Sequence, residues 1–159
     1  MDLKFQVSIH IARPVHSVFE AVADPDKLSQ YFTTGGAQGR LETGATVMWD
    51  FHDFPGAFPV EVVKVVPDRL IVLRWAAHEE GVPQDNESVD AASYQTEVRI
   101  TFEPLDDGRT LVSIAEQGWH QTAGGLAGSY GNCMGWTQML CALKAWLEYG
   151  INLREGAFK

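Results

Sequence analysis

Apolar and polar residues alternate from the first turn of the chain. In residues 3–11, LKFQVSIHI, the side chains of Leu3, Phe5, Val7, Ile9 and Ile11 fall on one side, the period of a strand with one buried face. The period then changes. In RPVHSVFEAVAD, Val15, Val18, Phe19 and Val22 recur at helical spacing, and Pro14 suits a first helical turn. DPDKLSQYF restarts a short helix with Asp24 as N-cap, Pro25 at the first position and Leu28, Tyr31 and Phe32 as its apolar side. Beyond TTGGAQG the pattern predicts strands at roughly 38–42, 45–53, 58–66, 69–76, 94–104 and 109–117, separated by ETG, FPGA, VPD and LDDG. Asp106-Asp107-Gly108 is a hairpin signal, because Gly108 can take a positive φ.

Two stretches break this pattern. Residues 78–93, HEEGVPQDNESVDAAS, hold five acidic residues and no basic one, which predicts an exposed loop. Residues 118–131, GWHQTAGGLAGSYG, hold five glycines and read as a flexible connection that spans a gap or gates an opening. Residues 135–150, GWTQMLCALKAWLEYG, read as a final helix. On a helical wheel Trp136, Met139, Leu140, Leu143, Trp146, Leu147 and Gly150 cover an arc of about 140°, the broad stripe of a core-facing helix. Thr137, Gln138, Lys144, Glu148 and Tyr149 take the remainder. Strands in a run followed by one long helix imply an α+β protein whose antiparallel sheet is covered on one face by that helix.

This order, with these residues, resembles the helix-grip fold of the START-like (SRPBCC) superfamily, and within it the AHSA1-like branch named after the activator of Hsp90 ATPase. The resemblance is carried by ARPVHSVFEAVADPDKLSQYF, ETGATVMWDF, DRLIVLRW, TEVRITFEPLDDGRTLVSIAEQGW and GWTQMLCALKAWLE, which together span nearly the whole chain. It implies a single domain over residues 1–159. Its expected architecture is a curved antiparallel sheet of about six to seven strands wrapped around a long C-terminal helix, with two short helices after strand 1 and a cavity between sheet and final helix. That superfamily hosts ligand binders, cyclases and co-chaperones, so the fold does not select among them. The acidic insertion at 78–93 is longer than a strand connection requires. No counterpart is expected of the extra N-terminal domain with which the eukaryotic Hsp90 activator contacts its chaperone, which weakens the co-chaperone reading.

Composition narrows the partners. A chain of 159 residues can bury a core without disulfides or metals. The formal net charge of −9 disfavours nucleic acid and anionic membrane surfaces, leaving neutral, apolar or cationic partners. Apolar runs fall far short of a membrane span, and MDLKFQVSIH reads as a strand, not a signal peptide, so a cytoplasmic protein with no membrane insertion is expected. Cys133 and Cys141 lie about 12 Å apart along one helix, too far to be bridged, and read as free thiols in a reducing compartment.

The strand faces supply the candidate site. Val112 and Ile114 mark the inward side of 109–117, so Glu116 points inward too. The inward sets of the other strands are Tyr94, Thr96, Val98, Ile100 and Phe102; Ile71, Leu73 and Trp75; and Val47, Trp49, Phe51 and Asp53. Together they predict an aromatic pocket wall of Trp49, Phe51, Trp75 and Tyr94, with Glu116 as polar anchor at a cavity or a solvated rim. From the final helix, Trp136 and Leu140 are placed at the ligand, and Leu143 and Leu147 in the sealing core. Such inward aromatics also make an ordinary packed core. His10 and His16 read as solvated, while His52 and His120 stand where a cavity mouth is expected. No histidine or cysteine pair shows metal-site spacing, and AGGLAGS lacks the lysine of a phosphate loop, so neither metal nor cofactor is expected. Cys133 has no base beside it that would make it a nucleophile.

Three readings follow. The first is a binding module enclosing a small hydrophobic or aromatic ligand between the sheet and the last helix. The second is a cyclase- or hydrolase-like enzyme using Glu116, Tyr94 or His120 as general acid or base, provided those groups converge. The third is an Hsp90-type co-chaperone or stress-response interaction protein, which requires an exposed apolar patch. A homodimer is compatible with all three.

Overall fold

The computed structural model describes residues 1–79 and 94–159. Most of the acidic stretch, residues 80–93, lies outside the described residues.

The strand predicted at the start forms as β1 (Lys4–Ile11), with Phe5, Val7 and Ile9 half-buried and Ile11 fully buried. Next come α1 (Val15–Ala23), burying Val18, Phe19 and Val22, and α2 (Pro25–Leu28). Asp24 caps α2 as expected, its side chain accepting the Asp26 N–H at 2.9 Å. The remaining strands are β2 (Gly36–Gln38), β3 (Thr46–Asp50), β4 (Phe58–Val66), β5 (Leu70–Ala76), β6 (Gln95–Pro104) and β7 (Thr110–Gln117). With β1 they form one curved antiparallel sheet in the order β1-β7-β6-β5-β4-β3-β2. It is therefore a meander from β2 to β7, with β1 added along the edge of β7, where Ile11 faces Thr110 and Lys4 faces Gln117. The β6–β7 hairpin turns at Gly108, which has φ +85°.

The last helix, α3 (Ala123–Tyr149), lies in the grip of the sheet and buries Trp136, Met139, Leu140, Ala142 and Leu143. Trp146 and Leu147 pack half-buried against the same core. The architecture is the α+β helix grip expected from the sequence.

Three boundaries differ from expectation, each for a local reason. β2 covers Gly36–Gln38, not 38–42, because Gly39 adopts φ +100° and breaks the extended run. β3 ends at Asp50 because its Oδ1 accepts the backbone N–H groups of Phe51 at 2.9 Å and Gly56 at 3.0 Å, folding the chain into a turn. The largest correction concerns residues 118–131, read from the sequence as a flexible loop. Helix α3 begins at Ala123, and Thr122 caps it by accepting the Gly125 N–H at 3.0 Å. The glycines there serve close approach: a Cβ on Gly125 would stand 1.9 Å from the His120 carbonyl oxygen, and one on Gly128 would stand 2.1 Å from that of His78.

Candidate functional site

Alternation along β7 puts Thr110, Val112, Ile114 and Glu116 on the buried face, and Glu116 is 1 % exposed. Four side chains donate to its carboxylate. Oε1 accepts the Trp136 indole N–H at 2.8 Å and the Asn132 amide at 3.1 Å. Oε2 accepts the Thr96 hydroxyl at 2.6 Å, the Trp75 indole N–H at 3.0 Å and the same Asn132 amide at 3.0 Å. Trp75 and Thr96 come from the sheet; Asn132 and Trp136 come from α3, one helical turn apart. Among the described residues no Lys, Arg or His pairs with Glu116. Burial pushes its carboxyl above the usual glutamate range, against the pull of these donors, which favour the ionised form.

Aromatic rings surround this carboxylate. The Trp136 ring stacks on Trp75 at 5.4 Å and on Phe32 at 5.5 Å. Trp49 meets Phe32 and Trp75 edge-on, at 5.6 and 5.9 Å, and Phe51 meets Phe32 edge-on at 5.0 Å. Leu140 lies in the same core, 2 % exposed. Trp136 thus occupies the place between sheet and α3 where the sequence predicted room for a ligand. Two surface grooves, of about 400 and 340 Å³, flank the sheet: one runs over β1, β7 and β6 at Lys4, Gln6, Arg99 and Gln117 and has Phe5 and Glu116 in its lining, and the other lies between α1 and the β4–β5 turn. The indole N–H groups of Trp49 and Trp119 are buried with no hydrogen-bond partner among the described residues.

Tyr94 and His120 form a separate group at the start of α3. Their rings stack at 3.6 Å, the Tyr94 hydroxyl donates to Glu79 Oε1 at 2.6 Å, and the His120 N–H donates to the Tyr94 oxygen at 3.1 Å. Burial and the Glu79 hydrogen bond both raise the Tyr94 pKa. Glu79 also accepts the Thr122 hydroxyl at 3.5 Å, which sets a carboxylate beside the positive end of the α3 dipole. Neither Tyr94 nor His120 is hydrogen-bonded to Glu116, so the three groups named for acid–base chemistry do not converge in this state. His52 is exposed, and His16 is an exposed partner of Asp68 at 2.9 Å. Both cysteines are free thiols. No group of three metal-ligating side chains occurs among the described residues.

The sequence reading missed several participants. Asn132 lies between the stretch 118–131, read as a flexible connection, and the helix predicted from residue 135; with α3 beginning at Ala123 it sits one turn before Trp136. Phe32 was assigned only to the second short helix. Arg154 had no signal at all. It pairs bidentately with Asp53, Nε to Oδ2 at 2.9 Å and Nη2 to Oδ1 at 3.2 Å, with both residues under one-tenth exposed. Its guanidinium lies 4.8 Å from the Phe51 ring centre and 4.9 Å from that of Phe158, so the C-terminal segment closes over the Phe51 end of the core.

The family model described as Activator of Hsp90 ATPase homolog 1-like protein matches residues 12–148. The chain belongs to that family. No curated protein matches it. Among solved structures it is similar to protein SSP2350 from Staphylococcus saprophyticus, with 24 % identity and a TM-score of 0.74 over 95 % of this chain and 96 % of that one. The Aha1 dimer from Colwellia psychrerythraea shares 22 % identity and a TM-score of 0.68 over 92 % and 97 % of the two chains. DynU16, described as a putative protein in the dynemicin biosynthetic locus, shares 23 % identity and a TM-score of 0.76; the match covers 97 % of this chain and half, 50 %, of that one. At such identities the structural likeness establishes the shared fold. Among the described residues no helix is long and apolar enough to cross a membrane.

Proposed function

We propose that the protein binds a small apolar or aromatic molecule between the sheet and α3. The walls of the site are Trp49, Phe51, Trp75, Trp136 and Leu140, Glu116 is its polar anchor, and Tyr94 and His120 stand at its rim. One observation carries this reading: a carboxylate buried among aromatic rings is held jointly by the sheet and by α3, so the two elements meet at a polar centre instead of a wholly apolar seam. An inward carboxylate is costly, and as a mere packing element an apolar side chain would serve better there. Room for the ligand comes from the first half of α3. Its glycines at 124, 125, 128, 131 and 135 give that half low intrinsic helix stability; Asn132 and Trp136 tie it to Glu116 of the sheet, while Gly125 and Gly128 pack on the carbonyls of His120 and His78 in the connecting segments. A ligand enters as those turns lift and Trp136 leaves its place against Phe32 and Trp75. Native mass spectrometry of gently purified protein, followed by titration with a naphthalene-type probe, tests the reading. A co-purified small molecule, or saturable probe binding lost in Trp75→Ala, supports it; neither one observed in folded protein overturns it.

A second reading is a protein contact through the outer face of α3. It is favoured by Leu126, Tyr130 and Met134, spaced one turn apart and 40 %, 68 % and 59 % exposed. The occupant proposed is a second copy of the chain, by analogy with the Colwellia protein solved as a dimer. Sedimentation analysis showing a dimer that Tyr130→Glu dissociates supports it, and a monomer at all concentrations overturns it. Pulldown of the host's Hsp90 homologue tests chaperone contact at the same face.

A further inference from the structure

We infer that the polar end of the ligand is an organic cation bearing N–H groups, a protonated amine or amidine on an aromatic body, and that it takes Glu116 over from Asn132 and Trp136. This rests on the binding site proposed above and specifies the class of molecule it accepts.

The coordination of Glu116 drives the inference. A carboxylate offers about four lone-pair sites, and Trp75, Thr96, Asn132 and Trp136 between them make five contacts to it. No further donor can be added; a ligand reaches the carboxylate only by replacing one already present. The replaceable donors are those on α3. Trp75 and Thr96 sit on adjacent strands paired directly opposite one another, and the sheet fixes them. Asn132 and Trp136 ride on the glycine-rich part of the helix that must lift for anything to enter.

Once those two leave, the carboxylate keeps only the donors of the sheet, and the chemistry of the newcomer decides the outcome. A neutral apolar molecule strands a half-satisfied carboxylate in a dry site. An anion adds like-charge repulsion. A cation with N–H groups replaces the hydrogen bonds lost from Asn132 and Trp136 with charge-assisted ones and supplies the counter-charge that no described residue provides. The rings left exposed by the departure of Trp136 are Trp75 and Phe32, with Trp49 at their edges, which is the setting in which organic cations gain from aromatic faces. A net charge of −9 raises the local concentration of cations around the molecule.

Three probes with one ring system test this: 2-naphthylmethylamine, 2-naphthylmethanol and 2-naphthoate, titrated calorimetrically into the full chain at neutral pH and constant ionic strength. The amine is expected to bind at least about tenfold more tightly than the alcohol, and the carboxylate most weakly. Glu116→Gln should bring the amine and the alcohol to within about twofold of each other. Trp136→Phe keeps a ring in place and frees a lone pair on Oε1; it should strengthen amine binding more than alcohol binding, because the amine's bond to the freed oxygen is charge-assisted, and it stands in should Glu116→Gln not fold. Alcohol binding that equals or exceeds amine binding in the wild-type protein overturns the cation assignment and leaves the binding site standing. An amine affinity unmoved in Trp136→Phe also overturns the assignment. Failure of all three probes to bind overturns the site itself.

Discussion

The Trp136 indole donates to Glu116 Oε1 at 2.8 Å, so the middle of α3 is pinned to β7 by a hydrogen bond inside the aromatic core. The same ring stacks on Phe32 and Trp75, so packing and hydrogen bonding act at one residue. The two can be separated. Trp136→Ala removes both and should cost about 3–5 kcal/mol. Trp136→Phe keeps a ring but not the N–H and should cost about 1–3 kcal/mol. Urea unfolding followed by far-ultraviolet circular dichroism measures each. A Phe variant as stable as wild type would show that the hydrogen bond contributes nothing.

Burial raises the Glu116 carboxyl in the folded protein, which fixes the sign of a pH effect. Between the ordinary glutamate value and the raised one, the native state binds more protons at this site than the unfolded chain does. The stability Glu116 contributes is therefore fully present below its unfolded pKa and is lost as pH rises through the native one. Glutamine does not titrate, so Glu116→Gln should gain stability relative to wild type across that interval. Unfolding free energies of both proteins, measured from acid to neutral pH, check this, because other carboxyls cancel in the difference. Parallel curves, or a difference of opposite slope, would contradict it.

Much of this was legible in the sequence because strands report their faces. The period of two in β7 placed Glu116 beside Val112 and Ile114, and the inward sets of β3, β5 and β6 gave Trp49, Trp75 and Thr96 correctly. The wheel of the last helix put Trp136 and Leu140 on the buried side. What failed was the reading of glycine. Between 118 and 131 its low helix propensity argued for a loop, yet in the folded chain Gly125 and Gly128 let α3 press against the carbonyls of His120 and His78. Tertiary packing overrode propensity, and with the helix start misplaced Asn132 was invisible. The Asp53–Arg154 pair was illegible for another reason: it joins residues far apart in sequence, and no local period encodes it.

The two kinds of glycine on α3 respond oppositely to alanine. At Gly128 a Cβ meets the His78 carbonyl oxygen at 2.1 Å, and backbone on both sides leaves little room to yield. Gly128→Ala should destabilise by about 1–3 kcal/mol and lower hydrogen-exchange protection in the first turns of α3. At Gly135 a Cβ meets nothing within 4 Å. Gly135→Ala should stabilise by about 0.5–1 kcal/mol through helix propensity alone. Both variants shifting in the same direction would show that the first half of α3 does not pack as described.

Arg154 and Asp53 make the remaining test of how the core is closed. The pair is bidentate and buried, with the guanidinium facing Phe51, Phe158 and, at 5.7 Å, Phe32. Removing one partner leaves the other charged, desolvated and alone, so Asp53→Ala or Arg154→Ala should each cost about 3–5 kcal/mol. Removing both leaves no stranded charge, and the double variant should be more stable than either single one; the coupling from the double-mutant cycle isolates the pair. Arg154→Ala also loses the contacts with the phenylalanine rings, so it should exceed Asp53→Ala in cost and should free residues after Gly150 to hydrogen exchange. Additive losses with no coupling would mean that the C-terminal segment is held by its phenylalanine, and that the ion pair merely accompanies it.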